Sequence, residues 1–289
     1  MVPAADSAPP FHADSPVIEV DHPEARGRIA HHGAQVLDWT PAGEKPVLYL
    51  SPAAVFREGK AIRGGIPVCW PWFGPAAVDG LPSHGFARTR PWTLEATEAM
   101  NDGVSVRFSL RDDDATRALW PHAFAATLRV HFGRSLHVAL HVENRDPEPV
   151  EITAALHTYL AVSDVRRVSV LGLDGAEYQD HVGPLAERRQ EGAVEIGSEV
   201  DRDYETVEPV TLVDPGWRRH IVVQGHNSRC TVVWNPWIAK SATFSDLPPD
   251  AWPHFLCLET ANTWRDRVTL PPGHTHELAT TISVVRPDA

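Results

Sequence analysis

Short segments that alternate apolar and polar residues, punctuated by glycine, proline, aspartate or asparagine, recur along this chain from Val17 onward. Side chains of an extended backbone point alternately to opposite faces, so each such segment reads as a half-buried strand, and their regular spacing predicts antiparallel sheet. Ser135 to Asn144 is the clearest: Leu136, Val138, Leu140 and Val142 share one face, His137, Ala139, His141 and Glu143 the other. Similar patterns occupy Gly103 to Arg111, Ala125 to Phe132, Val150 to Leu160, His220 to Gln224, Cys230 to Trp234, Phe255 to Glu259 and Glu277 to Val285. These are too many for a small sandwich and predict a large all-β, antiparallel β-sandwich with very little helix. Asp112 to Leu119 is the helix candidate, with capping aspartates at its start and Pro121 to stop it.

A chain of 289 residues, 43% hydrophobic, can bury one sizeable core, and residues 16–289 are expected to form a single domain. Residues 1–15, rich in Pro, Ala, Ser and Asp, are expected to be a disordered tail. The net charge of −12 opposes binding to nucleic acid or an anionic membrane, so an anionic ligand must be caught by a local basic cluster. No apolar run approaches the roughly 18 residues of a membrane span, and no charged-then-apolar leader opens the chain, so a cytoplasmic protein is expected. Cys69, Cys230 and Cys257 lack metal-site or disulfide-scaffold spacing and read as buried thiols. Without an obvious exposed apolar stripe, a monomer is expected.

The most unusual stretch is AIRGGIPVCWPWFG from Ala61 to Gly74, followed by SHGFARTRPW from Ser83 to Trp92. Adjacent glycines after Arg63 would let backbone approach a ligand, and the prolines and aromatics beyond them would stiffen a preformed pocket wall. Arg63, Arg88 and Arg90 could converge there, since planar guanidinium donors suit phosphate; bridging of surface carboxylates is the alternative. In an extended Phe86 to Arg90, Arg88 and Arg90 would share a face, unless Pro91 turns Arg90 outward. Trp70, Trp72 and Phe73 are candidates either for a wall of that pocket or for the core.

His84 lies in the same loop. His157 interrupts the apolar run VEITAALHTYL, and Glu259 ends FLCLE, where Phe255, Cys257 and Glu259 share a face. A polar group buried in such a run needs a partner or a task, and burial of a carboxyl raises its pKa toward that of a proton donor or acceptor. Asp201 in SEVDRDY and Asp246 in FSDLPP are further polar candidates.

Taken together, RGGIP with PWFG, HGFAR, LHTYLAV, EVDRDY, VVWNPW, FSDLPPD and FLCLETAN resemble the hexose-6-phosphate mutarotases, or glucose-6-phosphate 1-epimerases, of the aldose 1-epimerase superfamily. The resemblance implies the galactose mutarotase-like supersandwich and an isomerase acting on a sugar phosphate, with neither cofactor nor metal. It implies Glu259 as catalytic base and His157 as acid. His84 and Asp201 would bind the sugar, with Arg63 and Arg88 on the phosphate and Arg90 as an open third contact; the D-x-x-Y pattern ending in Tyr204 selects Asp201 over Asp203. Two other readings compete. One is a non-catalytic carbohydrate-binding sandwich, because a fold does not fix a function. The other is a metal-dependent barrel built on His274 and His276.

Overall fold

The computed structural model describes residues 16–287, so the expected tail at 1–15 lies outside the described residues. Its strands form a nine-stranded and an eight-stranded sheet, with a three-stranded meander and a two-stranded ribbon beside them. The large antiparallel sheets are those expected from the alternating segments. In the nine-stranded sheet, Ser135–Asn144 lies between Phe124–Gly133 and Thr275–Val285, with Leu140 opposite both Leu128 and Leu278, and Leu136 opposite Phe132 and Ile282. Register therefore joins the apolar face of each strand into one continuous layer. That layer packs against Val233, Leu256 and Leu258 of the eight-stranded sheet in the main core.

Helix is limited to Asp114–Leu119 and Trp237–Ser241 plus three single-turn 3-10 segments among the described residues. Within the expected segment the first starts at Asp114, because Asp113 is its cap: its carboxylate accepts from the Thr116 amide, and the Thr116 hydroxyl accepts from the Asp113 amide. Asp112 instead accepts from the Phe124 amide. None of these helices is long and apolar enough to cross a membrane. All three cysteines are buried and free.

One strand expectation is corrected. Val150 to Leu160 is three short strands: Val150–Ile152 pairs with Val268–Leu270, while Ala154–Leu156 and Tyr159–Ala161 both pair with Phe255–Asn262. An apolar run buried on both faces carries no periodicity that would reveal such breaks. The second break falls at His157, whose amide donates to the Pro67 carbonyl instead of the sheet neighbour.

Candidate active site

Phe255–Asn262 is buried along its whole length, with one face in the main core and the other under a cleft. Register builds the cleft floor. Cα pairing aligns Asp201 with Trp234, Trp234 with Cys257 and Cys257 with Tyr159 in one row, and Asp203 with Val232 and Val232 with Glu259 in the next. Cys230, Val232, Trp234, Phe255 and Cys257 form a second apolar cluster on this side of the sheet, so the polar groups among them stand in a dry setting. The cleft holds about 330 Å³, at the small end of the ~300–1,000 Å³ typical of small-molecule sites.

His157 and Glu259 meet on this floor: Nδ1 and Oε1 are 3.2 Å apart, with exposures of only 7% and 1% for the two residues. The contact lacks hydrogen-bond alignment, and both His157 Nδ1 and Glu259 Oε2 are buried without a hydrogen-bond partner. Burial pushes the Glu259 pKa well above the usual carboxylate range; Asp201 and Asp203 add to the rise and Arg88 offsets part of it. Burial lowers the His157 pKa well below its usual value, and the charges of His84, Arg88 and Arg63 act in the same direction. In this dry setting burial disfavours the charged form of each partner. Tyr159 stacks on the His157 ring at 4.8 Å and 8°, which fixes its plane.

His84 edges onto His157, with ring centroids 6.1 Å apart. Its Nδ1 accepts from the Gly74 amide and its own amide donates to the Gly74 carbonyl, so in the neutral ring Nε2 carries the hydrogen. Burial, helped by Arg88 and Arg63, lowers its pKa to about 3, which keeps the ring neutral. The loop depends on Gly85, at φ +69°, where a Cβ would lie 2.0 Å from the Trp70 carbonyl oxygen. Gly85→Ala is expected to lose at least ~2 kcal/mol in urea unfolding, from left-handed backbone strain plus the clash. Gly59→Ala, at φ +77° with nothing within 4 Å, is expected to lose only the strain.

Arg63 and Arg88 both line the cleft. Arg63 donates to Asp246 at 3.2 Å and to the Tyr159 hydroxyl at 3.1 Å, and its guanidinium lies 4.5 Å from the Phe244 ring centroid. Burial opposes its charge, but Tyr159 and Asp246 outweigh burial and hold the cation. Arg88 donates to the Ser83 carbonyl, while its Nε is buried without a partner. Arg90, the open third contact, does not line the cleft. Ala87–Thr89 is a 3-10 turn, not an extended segment, so Arg88 and Arg90 do not share a face, and the charge of Arg90 acts on Asp113. The glycines after Arg63 also serve another purpose than expected. A Cβ at Gly65 would lie 2.0 Å from the Val36 carbonyl, so the close approach is to neighbouring backbone.

Lys240 lines the cleft too, and sequence reasoning missed it. Its ammonium lies 3.0 Å from Glu199 and 3.5 Å from Asp201. The available signal was rarity, since Lys240 is one of three lysines in the chain, together with Lys45 and Lys60. Asp201 lines the cleft, whereas Asp203 is tied to His181 at 3.3 Å. Burial raises the Asp201 pKa against the pull of Lys240 and His181. Tyr204 gives no contact to the site: its hydroxyl donates to Gln190 and its ring sits in the main core. Of the three aromatics, Phe73 lines the cleft, Trp70 is core, and Trp72 packs against the core with its indole donating to the Pro82 carbonyl. His274 bonds to the Pro272 carbonyl and His276 to Asn262, so these two histidines gather no third ligand. Among the described residues, the one group with metal-ligand spacing is His157, Cys257 and Glu259.

Residues 16–283 match the family model described as aldose 1-epimerase. A provisionally named glucose-6-phosphate 1-epimerase of Escherichia coli K12 is 42% identical over 249 residues, covering 85% of this chain and 82% of the relative. One from Cenchrus ciliaris is 34% identical, covering 84% and 76%. The crystal structure of a provisionally named mutarotase, YeaD, from Salmonella typhimurium superposes with a TM-score of 0.89 at 38% identity, covering 94% of this chain and 90% of that one. A galactose mutarotase related enzyme of Lactobacillus acidophilus shares the fold, with a TM-score of 0.74 at 14% identity over 93% of this chain and 97% of that one. With a match that begins at the first described residue and runs almost to the last, this chain belongs to the aldose 1-epimerase family.

Proposed function

We propose that the protein is an isomerase that interconverts the α and β anomers of a hexose 6-phosphate, with glucose 6-phosphate as the first substrate to test. The observation that carries the reading is a buried acid-base pair, His157 and Glu259, in a cleft that also presents Arg63 and Arg88. Relatives described as glucose-6-phosphate 1-epimerases support the substrate class.

Mutarotation moves two protons. Glu259, as carboxylate, takes the proton of the anomeric O1 hydroxyl. The O1 electrons form the carbonyl, the bond from C1 to the ring oxygen breaks, and the ring oxygen takes a proton from His157. Rotation about C1–C2 presents the other carbonyl face, and reclosure returns both protons, so no net redox change occurs and the pair is restored. A phosphate dianion between Arg63 and Arg88 offsets two of the charges that lower the His157 pKa, which favours the protonated imidazole that donates to the ring oxygen. The clamp also fixes which way the sugar lies, while His84 Nε2–H and Asp201 are placed to bind hydroxyls. Arg90 has no part in this arrangement. We read the acting unit as a cytoplasmic monomer, whose large exposed apolar residues, such as Val78, Leu185, Val207 and Ile238, are scattered over separate loops and one short helix.

Two-dimensional exchange NMR on the anomers of glucose 6-phosphate and of free glucose, side by side, tests the proposal. Exchange is expected to accelerate for both sugars at high enzyme concentration and far more for the phosphorylated one. Binding of glucose 6-phosphate without any acceleration would instead identify a carbohydrate-binding module.

A further inference from the structure

A third buried group stands beside the acid-base pair. Cys257 precedes Glu259 by two residues on a strand, so thiol and carboxyl emerge on the same face, and its pairing with Tyr159 brings it next to the His157 segment. One ligand atom each from His157, Cys257 and Glu259 lies within 4.8 Å of the other two, and all three residues are buried. Two polar atoms of the group, His157 Nδ1 and Glu259 Oε2, lack hydrogen-bond partners, which is costly in so dry a place. Imidazole nitrogen, thiolate sulfur and carboxylate oxygen are a donor set that zinc favours. Tetrahedral zinc, with bonds of ~2.0–2.3 Å, would hold its ligand atoms roughly 3.3–3.8 Å apart, so side-chain shifts of about 1 Å would close the site.

We propose that His157, Cys257 and Glu259 form a binding site for a thiophilic divalent cation of the zinc type, and that its occupation arrests the isomerase. Three coordinate bonds form; the Cys257 thiol proton and any proton on the ligating atoms of His157 and Glu259 pass to solvent through the cleft, and no oxidation occurs. The fourth position faces the cleft, which His157 and Glu259 line. A cation there takes the lone pairs that proton transfer needs. The inhibitory half of the inference rests on the proposed roles of these two residues; the binding half does not.

Cobalt(II), a coloured substitute for zinc, separates the two halves when added to the full chain prepared without a histidine tag. A near-ultraviolet thiolate-to-cobalt band is expected in the wild type and in Cys69→Ala, abolished in Cys257→Ala and bleached by added Zn²⁺. Cys257→Ser serves equally should the alanine variant fold poorly. In the same samples, saturating Zn²⁺ is expected to slow anomer exchange by roughly tenfold or more, reversibly with chelator, whereas Cys257→Ala keeps its exchange rate at that concentration. Absence of the band from the wild type, or its persistence in Cys257→Ala, overturns the site. A full band with undiminished exchange overturns the inhibitory half, and with it the roles given to His157 and Glu259.

Discussion

Glu259→Gln is expected to reduce anomer exchange of glucose 6-phosphate by roughly 10²- to 10⁴-fold while the protein stays folded, because an amide of nearly the same shape cannot accept the O1 proton. The fold should tolerate the change: the amide keeps the shape of the carboxyl, and burial disfavours the carboxylate there. Thermal unfolding close to that of the wild type would separate lost chemistry from lost structure. His157→Ala is expected to show a similar loss of rate with some loss of stability, since the ring packs between Tyr159 and Trp234. Because the two residues, 3.2 Å apart, act as one acid-base unit in the proposed reaction, the double variant is expected to be little slower than either single one. Additive losses would mean that the two groups act independently, and normal turnover by either single variant would sink the assignment.

Arg88→Ala is expected to lower kcat/KM for glucose 6-phosphate by roughly 10- to 100-fold, the loss of charge-assisted bonds worth about 1.5–3 kcal/mol, with a much smaller effect on free glucose. It is the cleaner probe of the clamp because, among the described residues, its side chain hydrogen-bonds only to the Ser83 carbonyl. Arg63→Ala should also raise KM chiefly for the phosphorylated sugar. It additionally strips Asp246 and the Tyr159 hydroxyl of a partner, so its thermal stability should fall where that of Arg88→Ala does not. Equal losses on phosphorylated and free sugar in both variants would remove the clamp from the mechanism.

The strands that were legible are those with one wet face. Ser135–Asn144 occupies the residues its alternation marks, and Leu136 and Leu140 are in the core as read. The segment around His157 was not legible in detail, because burial on both faces erases the alternation that marks a strand and its breaks. The helix at Asp114–Leu119 was readable from its cap, and its first residue from neither composition nor spacing, since Asp112, Asp113 and Asp114 can each cap and only the contact with Thr116 chooses.

For the site, residue chemistry marked His157 and Glu259 as polar groups in apolar runs, and the RGGIP and HGFAR segments carried the family. The arginine trio divided only in three dimensions: the turn at Ala87–Thr89 gives Arg88 to the cleft and leaves Arg90 off its lining. Lys240 entered the cleft through a short helix that no periodicity announces. What the amino-acid order determined by itself was local: which segments extend, where backbone must turn through glycine, and which polar residues would be buried. The meeting of His157 with Glu259, the pairing of Arg63 with Asp246 and the alignment of Cys257 beneath them belong to the tertiary structure. Cys257 and Glu259 depend on the register of Phe255–Asn262 against its neighbours, where a slip of one residue would turn both to the opposite face, whereas Arg63 and Asp246 meet across two loops distant in sequence.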